Sequence, residues 1–395
     1  MALTTGGRGP AAGGALRAGG APGAGYAPAT DHGGDVWAYA SAYGRAPLDL
    51  SVNVNPLGMP ASARAAATAA LADAAAYPDP ACRDLRRAIA RRLGWGSRGD
   101  AWVGCGTGAA DVLYRLALAL RPRVVLTCAP TFSEYGRAAA LAGARVRAHR
   151  LPADGGGGRP YALDEGLLDE IVPGVDLVVL CEPNNPTGLA APRALLMAAL
   201  ARCEEVGATL VVDECFNGLL DDPAAHSLRR LVPAHPRLVV VDAFTKTYGM
   251  AGLRLGYARC ADAALLGRMA RCGQPWPASN VALAAAQAAL DDDGYLARTH
   301  ALLGAQRPRV AAALRAAGCE LVSGEANFLL FRHALPDLHA RLARRGVLVR
   351  DCGSFAGLPA GCLRVAVGAP QANDRFLEAL RASLREGEGD ADVSA

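Results

Sequence analysis

Apolar and polar positions follow two different periods along the middle of the chain. Continuous apolar runs rich in β-branched residues predict strands at Arg123–Cys128, Asp176–Glu182, Ala208–Asp213, Arg237–Asp242 and Leu253–Ala258. Helical spacing of apolar residues predicts helices at Ser133–Ala142, Pro192–Val206 and Ser227–Val232. Apolar strands that alternate with helices are typical of a parallel sheet covered on both faces. The predicted fold class is therefore α/β, with a large domain built on a mostly parallel sheet.

The last hundred residues show another pattern, which predicts a separate small α+β domain. A long helical stretch runs from about Ala282 to Ala317. Short strands and a closing helix follow at Asn327–Arg332, Val347–Arg350, Leu363–Val367 and Ala372–Leu384. The segment Asp49–Asn55 and a predicted helix at Pro60–Ala75 come before the strands of the large sheet. The predicted units are an N-terminal arm with part of the small domain (31–59), the large domain (60–281) and the small domain (282–385).

The two chain ends are predicted to lack a fixed fold. Residues 1–30 are rich in Gly, Ala and Pro. This composition favours a disordered leader over a transit peptide, because it does not support an amphipathic helix. Residues 386–395 are acidic and contain glycine, which is typical of a frayed tail.

Composition narrows the possible partners and the location. The 41 basic and 37 acidic side chains give a net charge of +4, which favours neither nucleic acid nor an anionic membrane as partner. No apolar run approaches the roughly 18 residues that cross a bilayer. The eleven cysteines include no Cys-x-x-Cys pair. We therefore expect free thiols, no metal site and a cytoplasmic protein.

Residues suited to chemistry follow the predicted strands at their carboxyl ends, where α/β sheets bind ligands. Asn185 and Asp213 end two successive strands, and Lys246 follows the next one. A lysine becomes nucleophilic when burial or nearby cations lower its pKa. Arg254, within Gly-Leu-Arg-Leu-Gly, is suited to that role and to binding a phosphate. Further upstream, the segment Gly104–Gly108 opens a predicted helix, where backbone amides cradle anions.

The order and spacing of these motifs resemble fold-type-I pyridoxal-phosphate enzymes. The set comprises Gly-x-Gly-Thr-Gly, Pro-x-Phe-x-Glu-Tyr, Pro-Asn-Asn-Pro-Thr-Gly, Asp-Glu-x-Phe, Thr-Lys and Gly-Leu-Arg-Leu-Gly, and the resemblance covers roughly residues 31–384. It implies pyridoxal 5'-phosphate as cofactor, bound covalently to Lys246, which then acts as general acid and base. It also implies that Asp213 keeps the pyridine nitrogen protonated and that Asn185 donates to the ring hydroxyl oxygen.

The same resemblance assigns the other cofactor contacts and an assembly. Phe132 would stack on the ring. The phosphate would be held by Gly106, Thr107, Gly108, Thr245 and Arg254. Tyr77 resembles the tyrosine that reaches the cofactor phosphate of the neighbouring subunit, which implies a homodimer with shared active sites.

Two positions depart from the family pattern. Ala243 stands where many relatives have a phosphate-binding serine, so we expect weaker cofactor binding. Phe216 stands where many aminotransferases have a tyrosine bonded to the ring oxygen. Asn185 would then be the main partner of that oxygen.

Further segments narrow the resemblance to the threonine-phosphate decarboxylases of cobalamin biosynthesis, which are similar in fold to histidinol-phosphate aminotransferases. The more specific pair is Asp-His-Gly-Gly at 31–34 and Asn-Val-Asn-Pro-Leu-Gly at 53–58. The others lie at 275–280, 348–352 and 363–366. The aminotransferases typically have an acidic residue between the two asparagines, where this chain has Val54.

Two arginines on neighbouring predicted strands favour a small substrate with two anionic groups, because guanidinium pairs bidentately with carboxylate and phosphate. By resemblance, Arg364 takes the α-carboxylate and Arg350 the phosphate of an amino-acid phosphate. His32 and the Gly33 backbone would close over that phosphate. Asn55 is either a substrate contact or a turn cap, and the sequence leaves both open.

The resemblance implies decarboxylation of L-threonine O-3-phosphate to (R)-1-aminopropan-2-yl phosphate. Transamination of histidinol phosphate or a related donor is the alternative, because the same residues serve both reactions and substrate orientation decides between them. Threonine and serine phosphate differ by one methyl group, worth about 1–3 kcal/mol in a pocket, so the sequence does not separate them. The complete set of Lys246, Asp213, Asn185 and Arg254 argues against a non-enzymatic cofactor-binding module.

Overall fold

The computed structural model describes residues 32–155 and 158–392. The predicted leader, 1–30, lies outside the described residues. In chain order, the strands are β1 Leu48–Asp49, β2 Val103–Gly106, β3 Val124–Ala129, β4 Arg145–Arg150, β5 Leu177–Cys181, β6 Thr209–Asp213, β7 Leu238–Ala243, β8 Gly256–Arg259, β9 Glu320–Ser323, β10 Phe328–Arg332, β11 Val347–Leu348, β12 Arg350–Asp351 and β13 Cys362–Ala366.

The large sheet of the described chain has the strand order β2-β8-β7-β6-β5-β3-β4. Neighbouring strands are parallel throughout, except that β8 is antiparallel to both β7 and β2. Strands β5, β6 and β7 are buried along almost their whole length. This confirms the predicted mostly parallel sheet. It also places the carboxyl ends of these three strands side by side, since β6 pairs with both of the others.

The two edge strands of this sheet, β2 and β4, were not predicted from the sequence. Strand β4 carries arginines at 145, 147 and 150 and is largely solvent-facing, so it lacks a continuous apolar run. Strand β2, at the other edge, contains two glycines in four residues. Edge strands have one unpaired side and less buried surface, and apolar periodicity marks them poorly.

The helices of the described chain cover the sheets and connect the strands. They are α1 Val36–Tyr43, α2 Ala61–Ala69, α3 Arg83–Leu93, α4 Gly108–Leu120, α5 Glu134–Leu141, α6 Gly166–Glu170, α7 Arg193–Val206, α8 Phe244–Thr247, α9 Ala263–Arg271, α10 Asn280–Leu290, α11 Asp293–Ala316, α12 Leu338–Arg344 and α13 Pro370–Asp392. Short 3-10 helices occur at Ala70–Asp73, Gly99–Trp102, Asn217–Leu219, Ala224–His226, Arg229–Ala234 and Ala251–Leu253.

The stretch predicted as one long helix, 282–317, is two helices. Three successive aspartates at 291–293 interrupt it, and Asp292 occupies the N-cap position of α11. Short polar side chains favour helix ends because they compete for backbone hydrogen bonds. Helix α10 packs against α2 and lies in the same apolar cluster as Phe244 of α8 and Tyr257 of β8 in the large sheet. It therefore contacts the large domain, although the predicted boundary placed most of it in the small one.

Two further predictions, one of a helix and one of a frayed tail, differ from the structure. The segment Ser227–Val232 holds the start of a 3-10 helix, Arg229–Ala234, which contains Pro233. Proline lacks the N–H that an α-helix interior requires. Helix α13 continues to Asp392, so residues 386–392 are helical rather than frayed, and residues 393–395 lie outside the described chain. Within that chain, no helix has the length and apolarity needed to cross a membrane.

A second, smaller sheet has the antiparallel order β12-β13-β10-β9, and β1 pairs separately with β11. The predicted single strand Val347–Arg350 is thus divided between two sheets. In the smaller sheet Arg350 stands directly opposite Arg364. Residues directly opposite in an antiparallel pair leave the sheet on the same face, so these two side chains are neighbours.

Candidate active site

One cavity of about 640 Å³ lies at the carboxyl ends of the central strands, between the large and small sheets. Its lining includes ten of the residues predicted from the sequence, drawn from both sheets and from the N-terminal arm. They are His32, Gly33, Phe132, Asn185, Asp213, Thr245, Lys246, Arg254, Arg350 and Arg364. The fold therefore brings together residues that are more than 300 positions apart in the chain.

Lys246 lies in the short helix α8, which begins directly after β7. Burial and the charges of Arg364 and Arg254 lower the pKa of Lys246 to about 8. Its Nζ lies 5.6 Å from the centroid of the Phe216 ring. A lysine in such surroundings has a larger neutral fraction near neutral pH than an exposed lysine has, and the neutral amine is the form that attacks a carbonyl carbon.

Asp213, the last residue of β6, is buried among hydrogen-bond donors. Its Oδ2 accepts from the Tyr135 hydroxyl at 2.9 Å, and its Oδ1 accepts from the Cys215 backbone N–H at 3.0 Å. Burial raises the pKa of Asp213, although these hydrogen bonds oppose the rise. A cationic ring nitrogen is therefore a suitable partner, because it would stabilise the ionised carboxylate. Tyr135 ends the motif Pro-x-Phe-x-Glu-Tyr, but the sequence did not predict its hydrogen bond to Asp213.

Asn185 and Arg364 contact each other across the two sheets. The Asn185 Oδ1 accepts a hydrogen bond from Nη1 of Arg364, which leaves the amide nitrogen as the donor that the prediction requires. Nη2 of Arg364 donates to the Ser51 carbonyl at 2.8 Å, whereas its Nε is buried without a hydrogen-bond partner. Burial lowers the pKa of Arg364 to about 10. A buried guanidinium with an unsatisfied N–H is well suited to bind a carboxylate.

Arg350 lies beside Arg364 and is less buried. Its Nη2 donates to the Ser354 hydroxyl at 3.2 Å, and its guanidinium lies 5.6 Å from the centroid of the Phe355 ring. Both of these neighbours line the cavity, and neither was predicted. The two arginines give one wall of the cavity two fixed positive charges, which matches a substrate with two anionic groups.

The glycine-rich segment lies next to Arg254, at the start of α4. Gly108 has φ +86°, and a Cβ there would lie 2.7 Å from Nη2 of Arg254, so only glycine permits this approach. The Thr107 hydroxyl donates to the Pro277 carbonyl at 2.8 Å. From this part of the chain the cavity lining contains Ala109 and Ala110, and not Gly106, Thr107 or Gly108. The segment therefore packs against Arg254. The Thr107 hydroxyl, which was predicted to hold the phosphate, donates to the Pro277 carbonyl in this structure.

Asn55 lies outside this cavity lining, and its side chain makes hydrogen bonds within the fold. Its Nδ2 donates to the Thr247 carbonyl and to the Thr299 hydroxyl, both at 2.8 Å. Its Oδ1 caps the following turn by accepting from the Leu57 N–H. Asn53, two residues earlier, lines the cavity instead; it is buried, and neither polar atom of its side chain has a partner in the structure.

The N-terminal arm reaches the cavity through His32 and Gly33. The His32 ring lies 5.7 Å from the Phe132 ring, and its Nε2 lies 2.9 Å from Oε1 of Glu134. A Cβ on Gly33 would lie 2.6 Å from the Ser51 carbonyl oxygen, so the arm backbone lies directly against the cavity wall. The predicted closure over the cavity is thus sterically possible for this arm.

Tyr77 lies on the surface of its own chain. The residue is 77% exposed, and its ring stacks on Trp276 with 4.3 Å between the ring centroids. It does not line the cavity of its own chain. Contact with the site of a neighbouring subunit remains a prediction.

Both departures from the family pattern lie in the cavity wall. Ala243, at the end of β7, has only a methyl group at the position where many relatives have the hydroxyl of a serine. The Phe216 ring packs edge-on against Phe328 and has no polar atom to offer a ring oxygen. Thr245, two residues after Ala243, carries the hydroxyl next to Lys246 in this lining.

The gathered residues fit pyridoxal 5'-phosphate. Lys246 supplies an amine for its aldehyde, Asp213 a carboxylate for its ring nitrogen, and Arg254 a cation for its phosphate. Phe132 supplies an aromatic face. The buried polar groups that have no hydrogen-bond partner, on Asn53 and Arg364, then remain available to bind a substrate.

Comparison with known proteins identifies the family. The sequence profile described as aminotransferase class I and II matches residues 45–380. The chain is 35% identical to a threonine-phosphate decarboxylase from Salmonella typhimurium, over 89% of this chain and 95% of that protein. It is 40% identical to a histidinol-phosphate aminotransferase from Symbiobacterium thermophilum, over 86% of this chain and 91% of that protein.

Solved structures agree with the sequence comparison. The histidinol-phosphate aminotransferase from Clostridium acetobutylicum superposes with a TM-score of 0.78 at 26% identity, covering 86% of this chain and 99% of that one. The predicted fold type and the predicted cofactor are thereby confirmed. The chain belongs to the class I and II aminotransferase family and is a pyridoxal-phosphate enzyme.

Proposed function

We propose that the chain decarboxylates L-threonine O-3-phosphate to (R)-1-aminopropan-2-yl phosphate, a step of cobalamin biosynthesis. The observation that carries the proposal is the pair Arg350 and Arg364, directly opposite each other in one cavity. Two adjacent cations suit a small substrate with a carboxylate and a phosphate close together. The identity of 35% with a threonine-phosphate decarboxylase over 95% of that protein supports the same substrate.

The residues of the chain divide the work of binding. Arg364 is the more buried cation and has an unpaired N–H, so we assign the α-carboxylate to it. The phosphate is assigned to Arg350, His32 and Asn53, which line the same cavity. Asn53 fits this role because its amide donors are buried without a partner, a state that costs free energy until a ligand pairs with them.

Bound pyridoxal phosphate supplies an electron sink for the pair of electrons left at the substrate Cα when CO2 departs. Lys246 then delivers a proton to that carbon from Nζ. A pKa of about 8 suits this task, because the amine can both lose and regain a proton near neutral pH.

Transamination of histidinol phosphate or a related donor is the alternative function. The observation in its favour is the 40% identity to a histidinol-phosphate aminotransferase. That substrate has a phosphate but no carboxylate, so Arg364 would have no carboxylate partner during its own half-reaction. A 2-oxo-acid acceptor would use Arg364 in the other half.

We further propose that the active unit is a cytoplasmic homodimer. An exposed aromatic pair, Tyr77 on Trp276, lies beside the segment that leads to Pro277 and the glycine-rich loop, which supports a subunit contact near the cofactor phosphate. All eleven cysteines are free, which supports a reducing compartment.

The deciding experiment incubates the purified holoenzyme with threonine phosphate and measures CO2 and amine product without any 2-oxo acid. Stoichiometric release of both is the expected result. If turnover requires 2-oxoglutarate and histidinol phosphate is the best donor, the decarboxylase assignment is wrong.

A further inference from the structure

A buried carboxylate, Glu134, lies beside the cavity at the start of α5 and takes no part in the chemistry described so far. Its side chain is 10% exposed. One oxygen lies 2.9 Å from Nε2 of His32 and 3.2 Å from Arg137, and the other accepts from the Tyr114 hydroxyl at 2.7 Å. Burying a carboxylate is costly unless it is paired, and this one has three partners on different parts of the chain.

The carboxylate is an acceptor only, and this determines how the imidazole faces it. Burial raises the pKa of Glu134, but hydrogen bonds from Tyr114 and His32 and the charge of Arg137 outweigh that effect, and the pKa lies below its usual value. An ionised carboxylate carries no proton, so Nε2 of His32 must donate. The imidazole orientation is therefore determined by Glu134 rather than left to rotate.

His32 belongs to the arm that precedes α1, and the arm is attached to the cavity wall at two places. Besides the contact with Glu134, the Gly34 N–H donates to the Ser51 hydroxyl at 2.8 Å. The Ser51 carbonyl accepts from Arg364, the proposed carboxylate ligand. The arm and the anion-binding wall are thus both hydrogen-bonded to Ser51.

We propose that Glu134 is a positioning residue that latches the arm over the cavity through His32 and thereby sets the preference for a phosphorylated substrate. The inference rests on the proposed function, in which His32 and Gly33 cover the substrate phosphate. Glu134 itself touches no reacting atom. Its contribution is to hold the imidazole and the neighbouring backbone where the phosphate binds, so that binding does not have to order the arm.

The test compares Glu134→Gln with Glu204→Gln. The control removes the same charge from another histidine–glutamate pair, His235 and Glu204 at 2.9 Å, which lies outside the cavity lining. A hydrogen bond to a charged group is worth about 1.5–3 kcal/mol, so the KM for threonine phosphate should rise roughly 10- to 100-fold in Glu134→Gln. The kcat, and the kcat/KM for unphosphorylated threonine, should change less than about twofold, and the control should match the wild type.

A double-mutant cycle tests whether the effect passes through the imidazole. His32→Ala should raise the KM for threonine phosphate, and adding Glu134→Gln to it should have no further effect. Additive effects in the double variant would overturn the latch, because they would mean that Glu134 acts by another route. If Glu134→Gln does not fold, hydrogen exchange of the arm in His32→Ala tests the latch instead, and unchanged exchange there would overturn it, because the contact between His32 and Glu134 would then not hold the arm.

Hydrogen exchange provides a measurement that does not depend on activity. Amides at 33–38 should exchange at least tenfold faster in Glu134→Gln than in the wild type or in Glu204→Gln, because the arm opens more often. Unchanged exchange would overturn the latch, and so would faster exchange with unchanged phosphate preference. If the wild type does not turn over threonine phosphate, the proposed function fails, while the exchange rates still decide whether Glu134 holds the arm.

Discussion

At the scale of single residues, Lys246 gives a pH-dependent stability with a defined sign. Its pKa is lowered from 10.5 to about 8 in the folded chain. Between these values the unfolded chain binds more protons than the folded chain, so the free energy of unfolding of the cofactor-free protein should rise with pH. Below pH 8 the charged lysine is unfavourable.

Lys246→Met serves as the reference, because it removes the titrating group. Its stability relative to the wild type should be greatest near pH 7 and should shrink as the pH approaches 10. Urea unfolding of both proteins across this range measures the difference. A constant difference would contradict the lowered pKa.

Tyr135 is expected to support cofactor binding through Asp213. Tyr135→Phe removes the hydroxyl that donates to Asp213 at 2.9 Å, which destabilises the ionised carboxylate by about 1–2 kcal/mol. The Kd for pyridoxal phosphate should therefore rise roughly tenfold, as measured by absorbance titration. Tyr114→Phe, which loses a hydroxyl bonded to Glu134 instead, should leave this Kd unchanged.

The two arginines of the anion clamp should differ in their effects. Removing one partner of a buried charged pair costs about 3–5 kcal/mol, or two to four decades in kcat/KM. Arg350→Ala should impair threonine phosphate most and reduce its preference over threonine. Arg364→Ala should impair both alike, since both carry the α-carboxylate. Equal losses on both substrates in Arg350→Ala would contradict the assignment of the phosphate.

At the scale of elements, the start of α4 combines an unusual backbone conformation with a close contact. Gly108→Ala places a Cβ 2.7 Å from Nη2 of Arg254 at a φ of +86°. We expect a loss of about 1–2 kcal/mol of stability and displacement of the guanidinium, which would weaken cofactor binding.

Gly94, the residue after α3, provides the matched control. It has a φ of +71°, and a Cβ there would meet no atom within 4 Å. Gly94→Ala should lose similar stability but keep the wild-type Kd for pyridoxal phosphate. Equal Kd values in both variants would show that Gly108 serves only the backbone turn.

At the scale of the whole molecule, shared active sites make a prediction about mixed dimers. In a dimer of one Tyr77→Phe chain and one Lys246→Ala chain, one site would combine the intact Lys246 with the partner's intact tyrosine. That site should bind cofactor with wild-type affinity and be active. Co-expression with two different tags isolates the mixed dimer for assay.

The comparison is with the Tyr77→Phe homodimer, in which no site is intact if the tyrosine acts in the partner. Mixed dimers whose active site has the affinity of that homodimer would refute sharing. A fully active monomer in sedimentation would refute it as well.

How far the sequence predicts the site depends on where a residue lies relative to the central strands. Asn185, Asp213 and Lys246 were found because they follow continuous apolar runs, and such runs are recognisable one by one. The roles of Tyr135 and Glu134 were not predicted, because each depends on a contact with a residue far away in the chain, Asp213 and His32 respectively. Nothing local distinguishes such a tyrosine or glutamate from others.

The neighbouring asparagines show the same limit at a single residue. Asn53 and Asn55 lie two positions apart, and the sequence analysis named Asn55 as a possible substrate contact but not Asn53. The structure turns Asn55 towards Thr247 and Thr299, where its polar atoms are satisfied, and leaves Asn53 unpaired in the cavity wall. The choice depends on partners more than 190 residues away.

The sequence alone determined the parallel core and the chemistry at its strand ends, because apolar periodicity and turn residues are local properties of the chain. The tertiary structure alone decided where α10 packs, how the segment at 347–351 divides between two sheets, and which side chains meet the arm. These features depend on free energies of contact between distant segments, which no local pattern encodes.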